Sequence, residues 1–499
     1  MNAPSRPARY RLASPYVSLT LPALSDPLED RDAGSALRTA AAEAERFLAG
    51  LADAAPRGVD EAATAFAPEE LPPQGAGAAA AIEELVERGL PAATRSAGPR
   101  FFHFVTGGAT PAALAADWLA SAIDQNSFSW VSSPLGSRAE RVAVGWLREL
   151  FGLPSSWGGV LTTGATMANF TGLASARRWW AAEHDVDIDE RGWAGLPALP
   201  VLSSGYIHTS AVKALTMLGV GRDSVRRLSA DATGCLDLDG LRHAVAGLGG
   251  RPFVLVGTAG EVNAGDFDPI AAMAEIAREN RGWLHVDGAF GLFARVSSEA
   301  DGLARGAENA HSVISDGHKW LNVPYDCGFA FVHDASLMHG TFALTGAPYL
   351  PEGSEERPSF GDRGPEASRR ARALAVWATL KAYGREGYRA MVDRHIRLAR
   401  RVGDQVEAAS DLELLAPVRL NVICFRYRPP GYPEDRLDEL NRRLGADILA
   451  DGRVYFGTTV YGGRVAFRPA ISNWRSTEED VDLVVEVTRE LGARLLSEK

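Results

Sequence analysis

From residue 158 to residue 332 the chain alternates short apolar runs with amphipathic stretches, and this alternation restricts the fold more than any other feature of the sequence. GGVLTTGATMANFTGLASARRWWA reads as strand, turn and long helix, and VLSSGYIHTSAVKALTML as strand, loop and helix. RPFVLVGTAGEVNAGDFDP is a strand with a glycine-containing loop, AAMAEIAREN a helix, and GWLHVDGAFG a strand that ends in Asp287. HSVISDGHK and CGFAFVHD add two more strands. Short apolar runs bounded by turn residues read as buried strands. Strands that alternate with helices imply an α/β layer with a mostly parallel sheet flanked by helices. Ligands of such sheets sit outside the carboxyl ends of the strands. Thr163, His208, Thr258, Asp287 and Lys319 all fall at or just beyond strand ends.

The flanks differ in texture. Residues 1–98 are rich in Ala, Pro and acidic residues and carry no strand signal. Helices are expected over Ala36–Ala52, capped by Ser35, and over Ala78–Arg88, ended by Gly89. A segment of this kind has little core of its own and is expected to pack on the partner subunit. The large α/β domain is placed at 99–376, with a helix over Ser137–Leu150. Met338–Glu366 holds four prolines and many charges, which reads as an irregular lid loop. A helix over Ala367–Tyr383 and a second, Arg-rich one to about Ala409 lead into a small C-terminal α+β domain, 377–499. Its signals are strand LNVICFRY, helix EDRLDELNRRLGADIL, strand GRVAFRPAIS and helix TEEDVDLVVEVTRELGARLL.

The 499 residues carry 52 Lys+Arg against 63 Asp+Glu, a formal charge of −11. That balance does not suggest a nucleic-acid binder or a polybasic membrane anchor. No apolar run is long enough to span a membrane, and no apolar stretch follows the arginines of the first residues as in a signal peptide. The three cysteines, Cys235, Cys327 and Cys424, are widely spaced, with neither metal-ligand nor disulfide-framework spacing. These features lead to the expectation of a cytoplasmic protein with no metal.

Lys319 lies between His318 and Trp320, just past the apolar run Ser312–Ile314. A lysine desolvated there would give up its proton more easily and become a nucleophile able to form a Schiff base with an aldehyde cofactor. Asp287, at the end of LHVD, suits a protonated pyridine nitrogen. Gly164, Ala165 and Thr166 open a helix after a strand, where backbone amides and hydroxyls hold phosphate. His208 is placed to stack on a ring, with Ala289 small enough to leave room on the other face.

The stretches HVDGAF, DGHKWLNVPYDCG and YIHTSAVKAL resemble the group II pyridoxal phosphate-dependent decarboxylases, the superfamily of aromatic-L-amino-acid and glutamate decarboxylases. FFHFVTGGATPAALAADWLASAIDQNSFSW, TTGATMAN, TAGEVNAGDFDP and SRRARALAVWATL extend the resemblance over roughly residues 95–385. It implies a fold-type I enzyme with a seven-stranded-type sheet, acting as a homodimer with active sites at the subunit interface. Lys319 would hold pyridoxal 5'-phosphate, Asp287 its ring nitrogen and His208 its face. Ala165, Thr166 and His318 would surround the phosphate, and Thr258 would lie near the ring. Tyr349, in the long loop, resembles the tyrosine that returns a proton after carbon dioxide leaves. Phe128 resembles an aromatic that enters the substrate pocket from the partner chain, and Phe104 and Thr106 are further candidate substrate contacts. The expected reaction is α-decarboxylation of an L-amino acid, aromatic substrates favoured by Phe101, Phe102, Phe104, Phe128 and Trp130. The alternatives are oxidative deamination to an aldehyde, a transaminase-like reaction, or a non-catalytic scaffold of the same fold. The chain departs from the family at Phe290, where a tyrosine is common, at Gly317, where a proline is common, and at Glu261, where a small hydroxyl residue is frequent.

Overall fold

A computed structural model of the chain describes residues 33–66, 70–300, 302–344, 353–354 and 356–497. Tyr349, the proton donor expected from the resemblance, lies outside the described residues, as does much of the expected lid loop.

Seven strands form the central sheet: β1 (Gly158–Thr162), β2 (Val201–Ser203), β3 (Val225–Arg227), β4 (Phe253–Thr258), β5 (Gly282–Asp287), β6 (Ser312–Asp316) and β7 (Gly328–Val332). Their order is β1-β7-β6-β5-β4-β2-β3. β3, β2, β4, β5 and β6 pair in parallel, and β7 runs antiparallel to both neighbours. The exception follows from chain length. Residues 317–327 hold no helix, and so short a connection can return a strand antiparallel but cannot make a parallel crossover.

Along β4, Val254 and Val256 enter the core on one face of the sheet, while Phe253 and Leu255 enter the core on the other. β1 divides in the same way, with Val160 on one side and Leu161 on the other. Both faces are covered, so these strands read as continuous apolar runs instead of alternating ones. Helix Ala165–Ala182 covers one face, contributing Ala168, Leu173 and Trp180 to that core.

The small sheet is antiparallel, in the order β10-β11-β9-β8, from β8 (Leu412–Leu414), β9 (Phe425–Tyr427), β10 (Thr458–Tyr461) and β11 (Arg464–Phe467). Helices Leu437–Asp451 and Glu478–Ser497 pack on it through Leu444, Ile448, Val484 and Leu491.

Several helix bounds differ from the sequence expectation. The helix expected to begin at Ser137 spans Pro134–Leu150, because the Ser133 hydroxyl accepts from Gly136 N at 3.0 Å and Pro134 suits the first turn. The two helices expected between residues 367 and 409 form one element, Ala373–Ala408, kinked at Gly384 (φ 61°). At the N-terminus, helix Ala33–Ala49 sits three residues before its expected place, and Ala78–Glu84 passes into a π-turn, Leu85–Gly89. The chain divides into two compact units, one within residues 1–49 and 59–93, the other within 50–58 and 94–499. No described residue of the first unit is buried.

Candidate active site

Register brings the site together. β4, β5 and β6 are adjacent and parallel, with Thr258 opposite Asp287 and Asp287 opposite Ile314. Asp287 and Lys319 therefore leave neighbouring strands at the same edge. The turn after β6 folds Lys319 back over the strand end, so its Nζ lies 3.1 Å from Asp316 Oδ2. The sequence suggested a desolvated amine; the structure places it in an ion pair with a buried carboxylate. Burial pushes the Asp316 carboxyl up, but the Lys319 ammonium and His318 beside it outweigh burial and hold it below its ordinary value.

Asp287 is buried and accepts from Asn169 Nδ2 at 2.9 Å and from Ala289 N at 3.2 Å. Ala289 thus lies against the carboxylate. The Thr258 hydroxyl is buried and has no hydrogen-bond partner among the described residues. Asp268, which the sequence reading passed over, fixes the Thr258 backbone by accepting from its N at 2.8 Å.

Ala165 and Thr166 open helix Ala165–Ala182, and no side chain caps its N-terminus. Its first-turn amides are therefore left for an external acceptor. His318 stands beside them, since a Cβ at Gly164 would be 3.0 Å from His318 Cε1. His318 Nδ1 accepts from Cys327 N at 3.2 Å, and its ring stacks on Tyr325 at 4.2 Å. Cys327 is packed rather than reactive, its thiol pushed up to about 12 by burial.

His208 caps helix Thr209–Met217, Nδ1 accepting from Ser210 N at 3.2 Å, and it shares a cleft of about 800 Å³ with Thr166. Crowding by protein lowers its pKa. Asp287 opposes that shift, while Lys319 and Arg468 add to it. One imidazole thus senses the candidate carboxylate, the candidate lysine and a cation from the small domain.

That cation, Arg468, follows β11 and was missed in the sequence. It is buried, with Nε unpartnered among the described residues and Nη2 donating only to Phe104 O at 3.3 Å. Burial lowers its pKa to about 10, against the pull of Glu261 and Cys424. No local signal separates it from the other arginines, because it acquires its place only when the end of β11 packs against the Phe104 segment, 364 residues away.

Glu261 now has an account. Its Oε1 accepts from Asn263 N and its Oε2 from Ala264 N, both at 2.8 Å, so it braces its own loop. Burial raises its pKa, and these hydrogen bonds and Arg468 offset part of that.

The aromatic residues separate. Phe101 and Phe102 are buried, Phe101 stacked on Tyr455 at 5.2 Å and Phe102 in the core of the small domain. Phe128 is buried in its own chain, its carbonyl accepting from Phe360 N and Gly361 N. Phe104 alone of these is open to solvent, at 63% exposure, with φ 57°. Thr106 is buried, and the next residue, Gly107, donates to His318 O at 3.3 Å, which sets this segment against the lysine turn.

A lysine and a carboxylate at the ends of adjacent strands in a sheet of this order make a fold-type I pyridoxal phosphate enzyme. The chain belongs to the pyridoxal-dependent decarboxylase family, whose conserved domain matches residues 64–428. It is 30% identical to an aromatic-L-amino-acid decarboxylase of Bacillus atrophaeus over 77% of this chain and 79% of the relative. It is 32% identical to an L-2,4-diaminobutyrate decarboxylase of Rhizobium meliloti (strain 1021) over 85% and 84%. The crystal structure of Oryza sativa TDC with PLP and tryptamine superposes with a TM-score of 0.85 at 26% identity, covering 95% of this chain and 99% of that one. The chain is accordingly a pyridoxal phosphate-dependent amino-acid decarboxylase. The site suits that cofactor: uncapped helix amides for a phosphate, an unpartnered buried hydroxyl on Thr258, and a buried carboxylate beside them.

Proposed function

We propose that the protein removes the α-carboxylate of an aromatic L-amino acid, releasing the amine and carbon dioxide. The observation that carries the division of roles is that Asp287 and Lys319 leave adjacent parallel strands at one edge of the sheet, as the register of β5 and β6 sets them. When bound, pyridoxal phosphate supplies an aldehyde for the substrate amine and a protonated ring that takes up the electron pair left by carbon dioxide.

Lys319 would hold the aldehyde end and Asp287 would keep a proton on the ring nitrogen. Ala165, Thr166 and His318 would hold the phosphate, with Thr258 and Ala289 near the ring. His208, its pKa lowered by burial, is neutral near pH 7 and would stack on the ring. Arg468, a buried guanidinium short of partners, takes the substrate carboxylate. Tyr349, assigned by the resemblance, returns a proton to the α-carbon.

The aromatic preference rests on Phe104, whose ring is exposed and whose carbonyl accepts from Arg468. Thr106 is a further substrate contact on the same segment, and Phe128, assigned by the resemblance, lines the pocket of the partner chain. We assign the working form as a cytoplasmic homodimer with the N-terminal helices packed on the partner. The absence of any buried residue among the described ones of the N-terminal unit supports this, as do the exposed Trp118, Leu119 and Ile123 of helix Pro111–Ile123.

An amino-acid panel, with carbon dioxide and amine quantified together, tests the reading. Equimolar release from tryptophan, tyrosine or phenylalanine, lost in Lys319→Ala, is the expected result. Faster turnover of diaminobutyrate would overturn the substrate class, and aldehyde with ammonia in place of amine would overturn the outcome assigned to Tyr349.

A further inference from the structure

Behind Asp287 runs a chain of buried polar groups, Trp283, Ser312, His285 and Asn169, that reaches the cleft only through Ser210. Trp283, His285 and Asp287 are alternate residues of β5 and so share one face of the sheet. Ser312 of β6 stands opposite His285 in register. Asn169, on helix Ala165–Ala182, lies above them. Trp283 Nε1 donates to Ser312 Oγ at 2.9 Å, Ser312 Oγ meets His285 Nδ1 at 2.8 Å, and His285 Nε2 meets Asn169 Oδ1 at 2.8 Å. Asn169 Nδ2 then reaches Asp287 Oδ2 at 2.9 Å and Ser210 Oγ at 3.3 Å, and Ser210 Oγ lies 2.7 Å from His208 Nδ1.

The direction of every bond in this chain is forced. An ionised carboxylate only accepts, so the Asn169 amide must turn its NH2 toward Asp287 and its oxygen toward His285. That oxygen also only accepts, so His285 carries its proton on Nε2. Nδ1 must then accept from the Ser312 hydroxyl, whose own lone pair takes the indole N–H. Full burial keeps His285 neutral, its pKa lowered to about 4, in agreement with one ring proton. From Trp283 to Asn169 each donor points toward the carboxylate, while the Ser210 branch leads away from it to His208. The helix makes room for the ring with Gly172, where a Cβ would stand 2.8 Å from His285 Cε1 and 3.2 Å from Ser312 Cβ. Glycine inside a helix costs about 1 kcal/mol relative to alanine, and here it makes the space that the ring occupies.

We propose that Trp283, Ser312, His285 and Asn169 form a directed positioning chain that fixes the Asp287 carboxylate for the cofactor ring nitrogen and, through Ser210, ties its orientation to that of His208. This rests on the assignment of Asp287 to the ring nitrogen.

The full-length chain, stripped of cofactor and titrated with pyridoxal phosphate, reads the effect as a dissociation constant and as the position of the bound cofactor's visible absorbance band. His285→Leu breaks the chain, His285→Gln keeps a donor toward Asn169, and Gly172→Ala displaces the ring while leaving every hydrogen-bonding group present. Loss of about tenfold or more in affinity with a shifted band is expected for H285L and G172A, and no more than about threefold loss for H285Q. Nitrogen-15 NMR of histidine-labelled holoenzyme should show His285 protonated on Nε2 alone. A wild-type dissociation constant and band in G172A, or a His285 proton on Nδ1, would overturn the proposal. Should H285L fail to fold, G172A and the tautomer still decide. Asp287→Ala separates the two levels: unchanged cofactor affinity there removes the assignment of Asp287, whereas weakened affinity there with G172A unaffected removes only the chain.

Discussion

Glu261 and Arg468 are two buried charges near one site with opposite relations to their surroundings. Glu261 is satisfied by backbone donors in its own loop, whereas Arg468, among the described residues, has one weak acceptor and an Nε without a partner. Replacing Glu261 with alanine leaves Asn263 N and Ala264 N without acceptors, which should cost about 1–3 kcal/mol of stability, read by denaturant unfolding. Turnover should fall much less, because the carboxylate is a brace and not a substrate contact. Arg468→Met should do the reverse. Losing charge-assisted hydrogen bonds worth about 1.5–3 kcal/mol raises KM on the order of 10- to 100-fold. Steady-state kinetics read this, and an unchanged KM would remove Arg468 from the site.

Helix Pro134–Leu150 is tied to the sheet by a charge pair. Arg369 Nη1 and Nη2 donate to Glu140 Oε2 and Oε1 at 2.9 and 2.6 Å, with both side chains 1% exposed. The same groups engage β1, where Leu161 N donates to Glu140 at 2.9 Å and Leu161 O accepts from Arg369 at 2.7 Å. Breaking one partner of a buried pair leaves the other charge uncompensated, so Arg369→Met should destabilise by about 3–5 kcal/mol in urea unfolding. Adding Glu140→Leu to it should recover part of that loss, since the stranded carboxylate is removed. A double variant no more stable than R369M would show that backbone bonds to β1, and not the charges, hold this corner.

Acid tolerance belongs to the whole molecule. His285 and His311 are held at about 4 and His395 at about 3, in each case first by burial. Their folded-state pKa values lie below the unfolded 6.5, so between the two the unfolded chain binds more protons and stability falls as pH falls. The loss begins near pH 6.5 and continues toward pH 4, reaching about 2 kcal/mol for each of these groups at pH 5. The urea midpoint should therefore drop steeply from pH 7 to pH 5. A midpoint flat across that range would mean that these imidazoles reach solvent.

Local pattern was enough for the sheet, and the resemblance of the motifs supplied the reaction class. Continuous apolar runs separated by helical stretches demand a sheet covered on both faces, and Asp287 and Lys319 at the ends of two such runs had to emerge at one edge once those strands were parallel neighbours. Even the uncapped helix start at Gly164 was legible. Arg468, Asn169 and His285 were not. Each is an ordinary polar residue in its own segment, and its meaning comes from packing of β11 on the Phe104 segment or from strand register, contacts made across more than a hundred residues. The same cause separated the aromatics: Phe101, Phe102, Phe104 and Phe128 look equivalent in sequence, and burial sent three of them into packing and left Phe104 open. Sequence alone determined the strand pattern, which follows from short-range periodicity, and the cofactor chemistry, which follows from short motifs at strand ends. Only the tertiary structure decided which charges face the substrate, because desolvation and orientation exist only after distant segments have packed.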